Sequence, residues 1–197
     1  MKKVFIDGSA GTTGLRIYER LEKRDDITLI KLSEDNRKDI NARKEAINSA
    51  DIVFLCLPDD AARESVSLLE NDNTVILDTS TAHRTDNSFV YGFPELDESI
   101  AEKLINAKKI AVPGCHASGF IALVYPLVKA GIIDKSVLLA CTSVTGYSGG
   151  GKKMIAEYED KARNDLLDAP RQYAITQQHK HLKEMKDVLA KHFAKKV

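Results

Sequence analysis

The chain has 197 residues, 43% of them hydrophobic and 29% charged, with 29 basic and 29 acidic side chains. That is room for one large domain or two small ones, with the composition of an ordinary soluble globular protein. The balanced charge supplies no overall field that would draw nucleic acid or an anionic membrane, so neither is expected as a partner. No apolar stretch approaches the ~20 residues of a bilayer-spanning helix, and the apolar run 4–6 is too short before Asp7 to serve a signal peptide.

Residues 3–7 read as a buried strand and 15–23 as a helix, with Gly8-Ser9-Ala10-Gly11-Thr12-Thr13-Gly14 between them. A second strand is expected at 28–33, a helix at 39–48, a third strand at 51–57 ending on Pro58, a helix at 59–69 and a fourth strand at 74–77. Residues 100–105 read as helix and 109–112 as a short strand. This alternation predicts an α/β fold over residues 1–113, a Rossmann-like parallel sheet with helices on both faces.

Residues 114–197 read as a second, α+β domain for substrate and catalysis. A helix is expected to start at Cys115 and carry the apolar run 120–128. Residues 137–145 are β-rich, 152–162 read as helix, 164–172 as loop and 173–176 as a further short strand. Leu182, Met185, Leu189 and Phe193, spaced three, four and four, mark the buried stripe of a last helix. A sheet needs about three strands to be stable by itself, so this second domain is expected to be incomplete, as in a truncated chain or natural fragment, or to take its missing strands from a partner chain.

Gly8, Gly11 and Gly14 stand between a strand and a helix, where a tight turn lets a pyrophosphate approach the helix N-terminus. Ser9, Thr12 and Thr13 add hydroxyl donors, and either threonine could cap the helix. The segment after the second strand distinguishes a ribose hydroxyl from a 2′-phosphate. Ser33, Arg37 and Lys38 favour NADP(H) there, while Glu34 and Asp35 keep NAD open. Leu57 and Pro58, at the end of the third strand, are further cofactor candidates, and Cys56 beside them reads as packing.

Cys115 lies in Pro113-Gly114-Cys115-His116-Ala117-Ser118-Gly119. A thiol at a helix start meets free N–H groups and the positive end of the helix dipole, an environment that favours thiolate. The three cysteines, Cys56, Cys115 and Cys141, are odd in number and far apart, so neither a disulfide framework nor a zinc motif is expected, and a cytoplasmic setting fits. Ser80 and Arg84 follow the fourth strand, where open α/β sheets bind ligands, and an arginine fork suits a phosphate or carboxylate. The segment 143–152, with Ser148 and Gly149, combines hydroxyls, glycines and a lysine ahead of a helix, a form that presents N–H groups to an anion. His179 and His181 are acid/base candidates. Glu184, three residues beyond His181, is placed to orient it, whereas His179 is expected in the lead-in to the helix, pointing elsewhere. Their spacing lacks the i, i+4 pair of a helical zinc site, and no metal is expected.

Together the segments GSAGTTG, FLCLPDDAARE, DTSTAHRT, YGFPEL, PGCHASG, SVTGYSGGGK and QQHKH resemble, in order, the shorter N-acetyl-γ-glutamyl-phosphate reductases of the aspartate-semialdehyde dehydrogenase-like superfamily. The resemblance spans nearly the whole chain. It implies an enzyme of arginine biosynthesis that reduces an acyl phosphate with NADPH to N-acetyl-glutamate 5-semialdehyde, releasing phosphate. Cys115 then matches the family's thioester-forming nucleophile, His179 or His181 its acid/base group, and Arg84, Ser148 and Gly149 its substrate or phosphate contacts, with Ser80 and Glu184 as further substrate-binding candidates from their positions. A homo-oligomer, dimer or tetramer, is also implied. Two departures stand out: Val112 replaces the family's usual Asn before Pro-Gly-Cys, and family members continue well past residue 197. A related acyl-phosphate reductase, such as an aspartate-semialdehyde dehydrogenase, and a non-catalytic NADP-binding fragment are the alternatives.

Overall fold

The computed structural model describes residues 1–134 and 136–193. Its strands are β1 (Lys2–Asp7), β2 (Ile27–Ile30), β3 (Ile52–Leu55), β4 (Val75–Asp78), β5 (Val90–Tyr91) and β6 (Lys109–Ala111). They form one sheet in the order β2-β1-β3-β4-β6-β5, with every pairing parallel. The helices are α1 (Thr12–Leu21), α2 (Ile40–Ser49), α3 (Asp59–Ser67), α4 (Glu98–Ile105), α5 (Cys115–Lys129), α6 (Gly151–Glu159) and α7 (Lys180–Phe193).

The central strands are short apolar runs because helices cover both of their faces. Phe5, Val53, Leu55 and Ile76 are fully or almost fully buried, packed with Ile47 of α2 and Ala62 of α3. Register aligns the strand ends: Asp7 pairs with Leu55, Leu55 with Asp78, and Asp78 with Ala111. The loops that begin at Gly8, Cys56, Thr79 and Val112 therefore leave along one carboxyl edge. From β1 the chain crosses to β2 on one side, and β3 lies on the other. The crevice between β1 and β3 is thus a topological switch point, where open α/β sheets bind ligands.

Asp7, the last residue of β1, is buried and held by three donors. Arg43 Nε and Nη2 each reach its Oδ2 at 3.2 Å, and Ser65 Oγ donates to the same oxygen at 2.8 Å. Arg43 lies on α2 and Ser65 on α3, so this network fixes both helices to the strand that launches the glycine loop.

A second apolar cluster joins Ala117, Ile121 and Tyr125 of α5 to Met185 and Val188 of α7, with Tyr91 and Phe93 against it. This cluster seats α7 beside the sheet.

Several expectations need correction. Residues 137–145 form no strand and are exposed. β-branched composition stabilises a strand only with a neighbour to pair with, and among the described residues no strand pairs with this segment. Residues 173–176 are not a strand either; Ala174 (φ 54°) and Gln177 (φ 53°) turn the chain into the left-handed region instead. Among the described residues, 114–193 therefore contributes helices and turns but no sheet. Strand β2 stops at Ile30 rather than 33, and β5 has no counterpart in the sequence reading, being only two residues long. In α7 the buried stripe is rotated: Leu182 is 46% exposed, and Val188 takes its place in the core.

Candidate active site

The glycine loop fits the switch point through backbone contacts. Gly8 has φ 87°, and a Cβ there would stand 2.4 Å from the Cys56 carbonyl oxygen. A Cβ on Gly14 would meet the Gly8 carbonyl oxygen at 2.3 Å. A side chain at Gly8 forces the loop away from the end of β3, and one at Gly14 forces α1 away from the loop itself. Helix α1 begins with Gly11 as its N-cap and no side-chain cap, so neither Thr12 nor Thr13 caps it, and its first turn holds no acidic residue. The leading N–H groups of an α-helix have no intrahelical partner, and here they face the crevice without a carboxylate in competition. Ser33, Arg37 and Lys38 are exposed beyond β2. Ser33 Oγ accepts from Asn36 N–H at 3.4 Å, and Arg37 contacts the exposed Glu34 at 3.4 Å. A surface pair of this kind contributes little stability and is easily exchanged for a stronger anion. Leu57 lies within 3.0 Å of the Gly8 Cβ position, and Pro58 caps α3. The donor set and its charge therefore fit a phosphorylated dinucleotide.

At the other end of the carboxyl edge, Glu184 is the hub. It is 2% exposed and accepts three hydrogen bonds: from Arg84 Nη1 at 2.9 Å, Tyr91 Oη at 2.8 Å and the Gly114 N–H at 2.8 Å. Arg84 spends its other edges on the Val112 carbonyl (2.9 Å) and the Thr79 carbonyl (2.8 Å). One ion pair thus binds the loops after β4 and β6 to α7. Burial, with the Glu184 carboxylate next in weight, pushes the Tyr91 phenol far up, so it stays a donor. Lys183 and Lys191 add contacts from α7 to Thr85 Oγ1 and the Thr85 carbonyl, both at 2.7 Å.

Gly114 is the point of closest approach. A Cβ there would lie 2.5 Å from Arg84 Nη1, 2.5 Å from His181 Nε2 and 2.7 Å from Glu184 Oε2. Cys115 follows as the first residue of α5 and is exposed. His116 comes next, and its ring lies 5.7 Å from that of His181 and 6.1 Å from that of His179. The thiol is thus bracketed in the chain by two residues that each approach His181. His179 does not point away: its ring packs edge-on to His181 at 4.5 Å, and its Nδ1 accepts from the His181 N–H at 3.2 Å. His181 is buried, and its Nδ1 has no hydrogen-bond partner among the described residues. Desolvation pushes its pKa down to about 4, helped by His179, Arg84, His116 and Lys180. His179 is also lowered, first by burial and then by His116 and Lys180.

The remaining predicted residues are placed as follows. Ser80 is buried, and its hydroxyl donates to Asp78 at 2.8 Å and accepts from the Ala82 N–H at 3.1 Å, so it shapes the turn. Ser148 and Gly149 sit in the exposed turn Tyr147–Gly150, with no contact to the imidazoles. From their segment it is Ser143 that reaches the site, its Oγ 2.7 Å from His116 Nδ1. Glu184 holds Arg84 and Gly114 rather than bonding to an imidazole. Sequence reasoning missed Tyr91, His116 and Ser143. A signal was present in α7: His181, Glu184, Met185 and Val188 follow i, i+3, i+4, i+7, so the two polar groups are in phase with the core. Beside Arg84 and Glu184, a cleft of about 240 Å³ is lined by Arg63, Lys180, Lys183 and Asp59. Among the described residues, no group of three or more His, Cys, Asp or Glu is arranged to hold a metal, and no helix is long and apolar enough to cross a membrane.

The fold and site define a Rossmann-like α/β protein with a helix-opening thiol at the carboxyl edge of its sheet. The chain belongs to the semialdehyde dehydrogenase family: residues 3–104 match the profile described as semialdehyde dehydrogenase, NAD binding domain, and residues 115–197 match the dimerisation domain. It is 50% identical over 186 residues to a protein of Chelativorans sp. (strain BNC1) named N-acetyl-gamma-glutamyl-phosphate reductase, covering 93% of this chain and 59% of that one. It is 48% identical over 187 residues to one of the same name from Trichormus variabilis, covering 93% and 58%. The chain thus spans about three-fifths of the length of these curated relatives. Among solved structures, aspartate semialdehyde dehydrogenase from Francisella tularensis has a TM-score of 0.64 at 16% identity, covering 100% of this chain and 70% of that one, a likeness of fold alone.

Proposed function

We propose that this protein carries out the reductase chemistry named for its relatives: NADPH-dependent reductive dephosphorylation of N-acetyl-γ-glutamyl phosphate through a thioester on Cys115. The observation that carries the reading is the bracketing of an exposed thiol at a helix start by Gly114 and His116, both against a buried, neutral His181.

The residues divide the work as follows. His181, with its pKa lowered to about 4, is unprotonated at neutral pH and able to take the Cys115 proton. The Cys115 sulfur attacks the acyl carbon, the C–O bond to phosphate breaks, and phosphate leaves with the bonding pair. A thiol is the stronger nucleophile for this step than a hydroxyl at the same pH. NADPH, when bound, supplies the hydride that reduces the thioester. The proton held by His181 passes to the oxygen of the hemithioacetal; His181 takes it back as the C–S bond breaks and the aldehyde forms, and hands it to the departing Cys115 sulfur, which restores the thiol. Arg84, expected to meet the substrate, is instead committed to Glu184, Val112 and Thr79 and holds the wall of the site; the cations of the neighbouring cleft, Arg63, Lys180 and Lys183, favour an anionic substrate and its leaving group. The Gly8–Gly14 loop holds the pyrophosphate, and Ser33, Arg37 and Lys38 take the 2′-phosphate.

We further propose that the chain divides at 113/114 into cofactor and catalytic parts. The dimerisation-domain match supports a homo-oligomer, and the reducing chemistry of a free thiol suits the cytoplasm. The test pairs a fluorescence titration with NADPH and the reverse reaction, phosphate-dependent oxidation of the semialdehyde. Binding with turnover supports the reductase. Binding without turnover removes the enzyme reading for this chain, and preference for aspartyl phosphate over N-acetyl-γ-glutamyl phosphate reassigns the substrate.

A further inference from the structure

We propose that His116 is a positioning residue of the site: clamped by Ser143 and set beside His179 and His181, it keeps the His181 imidazole in the neutral, proton-accepting form next to the thiol. This rests on the reading of His181 as the acid/base group.

Three observations support it. His116 is adjacent to Cys115 on the first turn of α5, so its backbone is fixed by the same helix start that presents the thiol. Its Nδ1 is 2.7 Å from Ser143 Oγ, which holds one ring edge and leaves the rest of the ring in the cluster. Its ring centroid is within 6.5 Å of three others, those of His181, His179 and Tyr173. Three imidazoles this close cannot all carry a proton, because like charges at such separations disfavour one another's ionisation. The charged and titratable groups facing His181 come from every element around it: Arg84 from the loop after β4, His116 from α5, His179 from the segment before α7, and Lys180 and Glu184 from α7. The one carboxylate among them, Glu184, is already engaged by Arg84, Tyr91 and Gly114. His181 therefore lacks the carboxylate partner that usually steadies a catalytic imidazolium. Its buried Nδ1 has no partner among the described residues, which also favours the neutral ring. His116 sets its ring 5.7 Å from that of His181, where it adds to the influences that disfavour a charged His181.

The test is an NMR titration of the histidine ring protons in the full chain, comparing wild type with His116→Gln, which keeps a side-chain amide near Ser143 and removes the titrating ring. The His181 midpoint should rise from about 4 in the variant, by only part of the depression because burial, His179 and Arg84 remain, and the His179 midpoint should rise with it. Ser143→Ala, on an exposed segment where folding is not at stake, should move His181 in the same direction by less. An unchanged His181 midpoint in folded His116→Gln, or in Ser143→Ala should the first variant not fold, overturns the proposal. In an active preparation the acid limb of the kcat profile should move upward in His116→Gln with KM unaltered. Absence of turnover in the wild type would count against the reductase reading alone, since the titration needs no substrate.

Discussion

Arg84 Nη1 donates to Glu184 Oε2 at 2.9 Å across a sequence separation of 100, and both side chains are buried. With the apolar cluster between α5 and α7 and the Gly114 N–H bond to Glu184, this pair fixes α7 and its histidines at the start of α5. Breaking one side of a buried ion pair leaves an uncompensated charge, which costs about 3–5 kcal/mol. Glu184→Ala should therefore lower unfolding stability by about that amount, whereas Arg84→Met with Glu184→Leu removes the uncompensated charge but still leaves the Tyr91 hydroxyl and the Gly114 N–H without their acceptor, and should recover only part of the loss. Urea melts of the three variants check this, and a near-neutral Glu184→Ala would remove the pair from its structural role.

Gly114→Ala places a methyl where Arg84, His181 and Glu184 meet, at 2.5 to 2.7 Å from each. Overpacking of this kind costs about 1–3 kcal/mol. The variant is expected to fold with weakened stability and to lose turnover, because His181 and Arg84 must both shift. Full activity would mean that these groups are not held against the thiol in the working enzyme.

Acid stability follows from His181. Its folded-state pKa, about 4, lies below the ordinary 6.5. Between those values the unfolded chain binds more protons than the folded one, so stability falls as pH drops from 6.5 to 4 and is untouched by this group above 6.5. Asp97, held down by Lys129 and Ser99, contributes in the same direction, but only where carboxylates titrate. His181→Gln should therefore flatten the stability profile between pH 6.5 and 4 while leaving the steeper loss below it. Denaturant midpoints measured across that range decide the matter.

The cofactor loop gives a separate prediction. Gly8→Ala sets a methyl 2.4 Å from the Cys56 carbonyl oxygen and strains a φ of 87°. NADPH affinity, read by fluorescence titration, should fall at least tenfold, about 1.4 kcal/mol. Unchanged affinity would place the dinucleotide elsewhere.

The parallel sheet was legible because β1, β3 and β4 are short apolar runs separated by helical periods and by a glycine loop. Cys115 was legible from Pro-Gly ahead of an apolar helix. The strand at 137–145 was misread because β-branched residues signal a strand only when a neighbour pairs with them. Tyr91 was hidden in a two-residue strand with no period of its own. His181 and Glu184 were recognised as chemistry but not as core, since the apolar stripe was traced through Leu182. Their burial becomes visible only when polar side chains in phase with Met185 and Val188 are counted as part of the stripe. The contact of His116 with Ser143 joins residues 27 apart in the chain, which local patterning does not encode.

The central claim is that Cys115 carries the acyl group. Incubating the protein with N-acetyl-γ-glutamyl phosphate in the absence of NADPH, followed by acid quench and peptide mass spectrometry, tests it directly. An acyl adduct on Cys115, abolished in Cys115→Ser while NADPH binding persists, is the predicted result. An adduct on another residue, or turnover by Cys115→Ser at the wild-type rate, would contradict it.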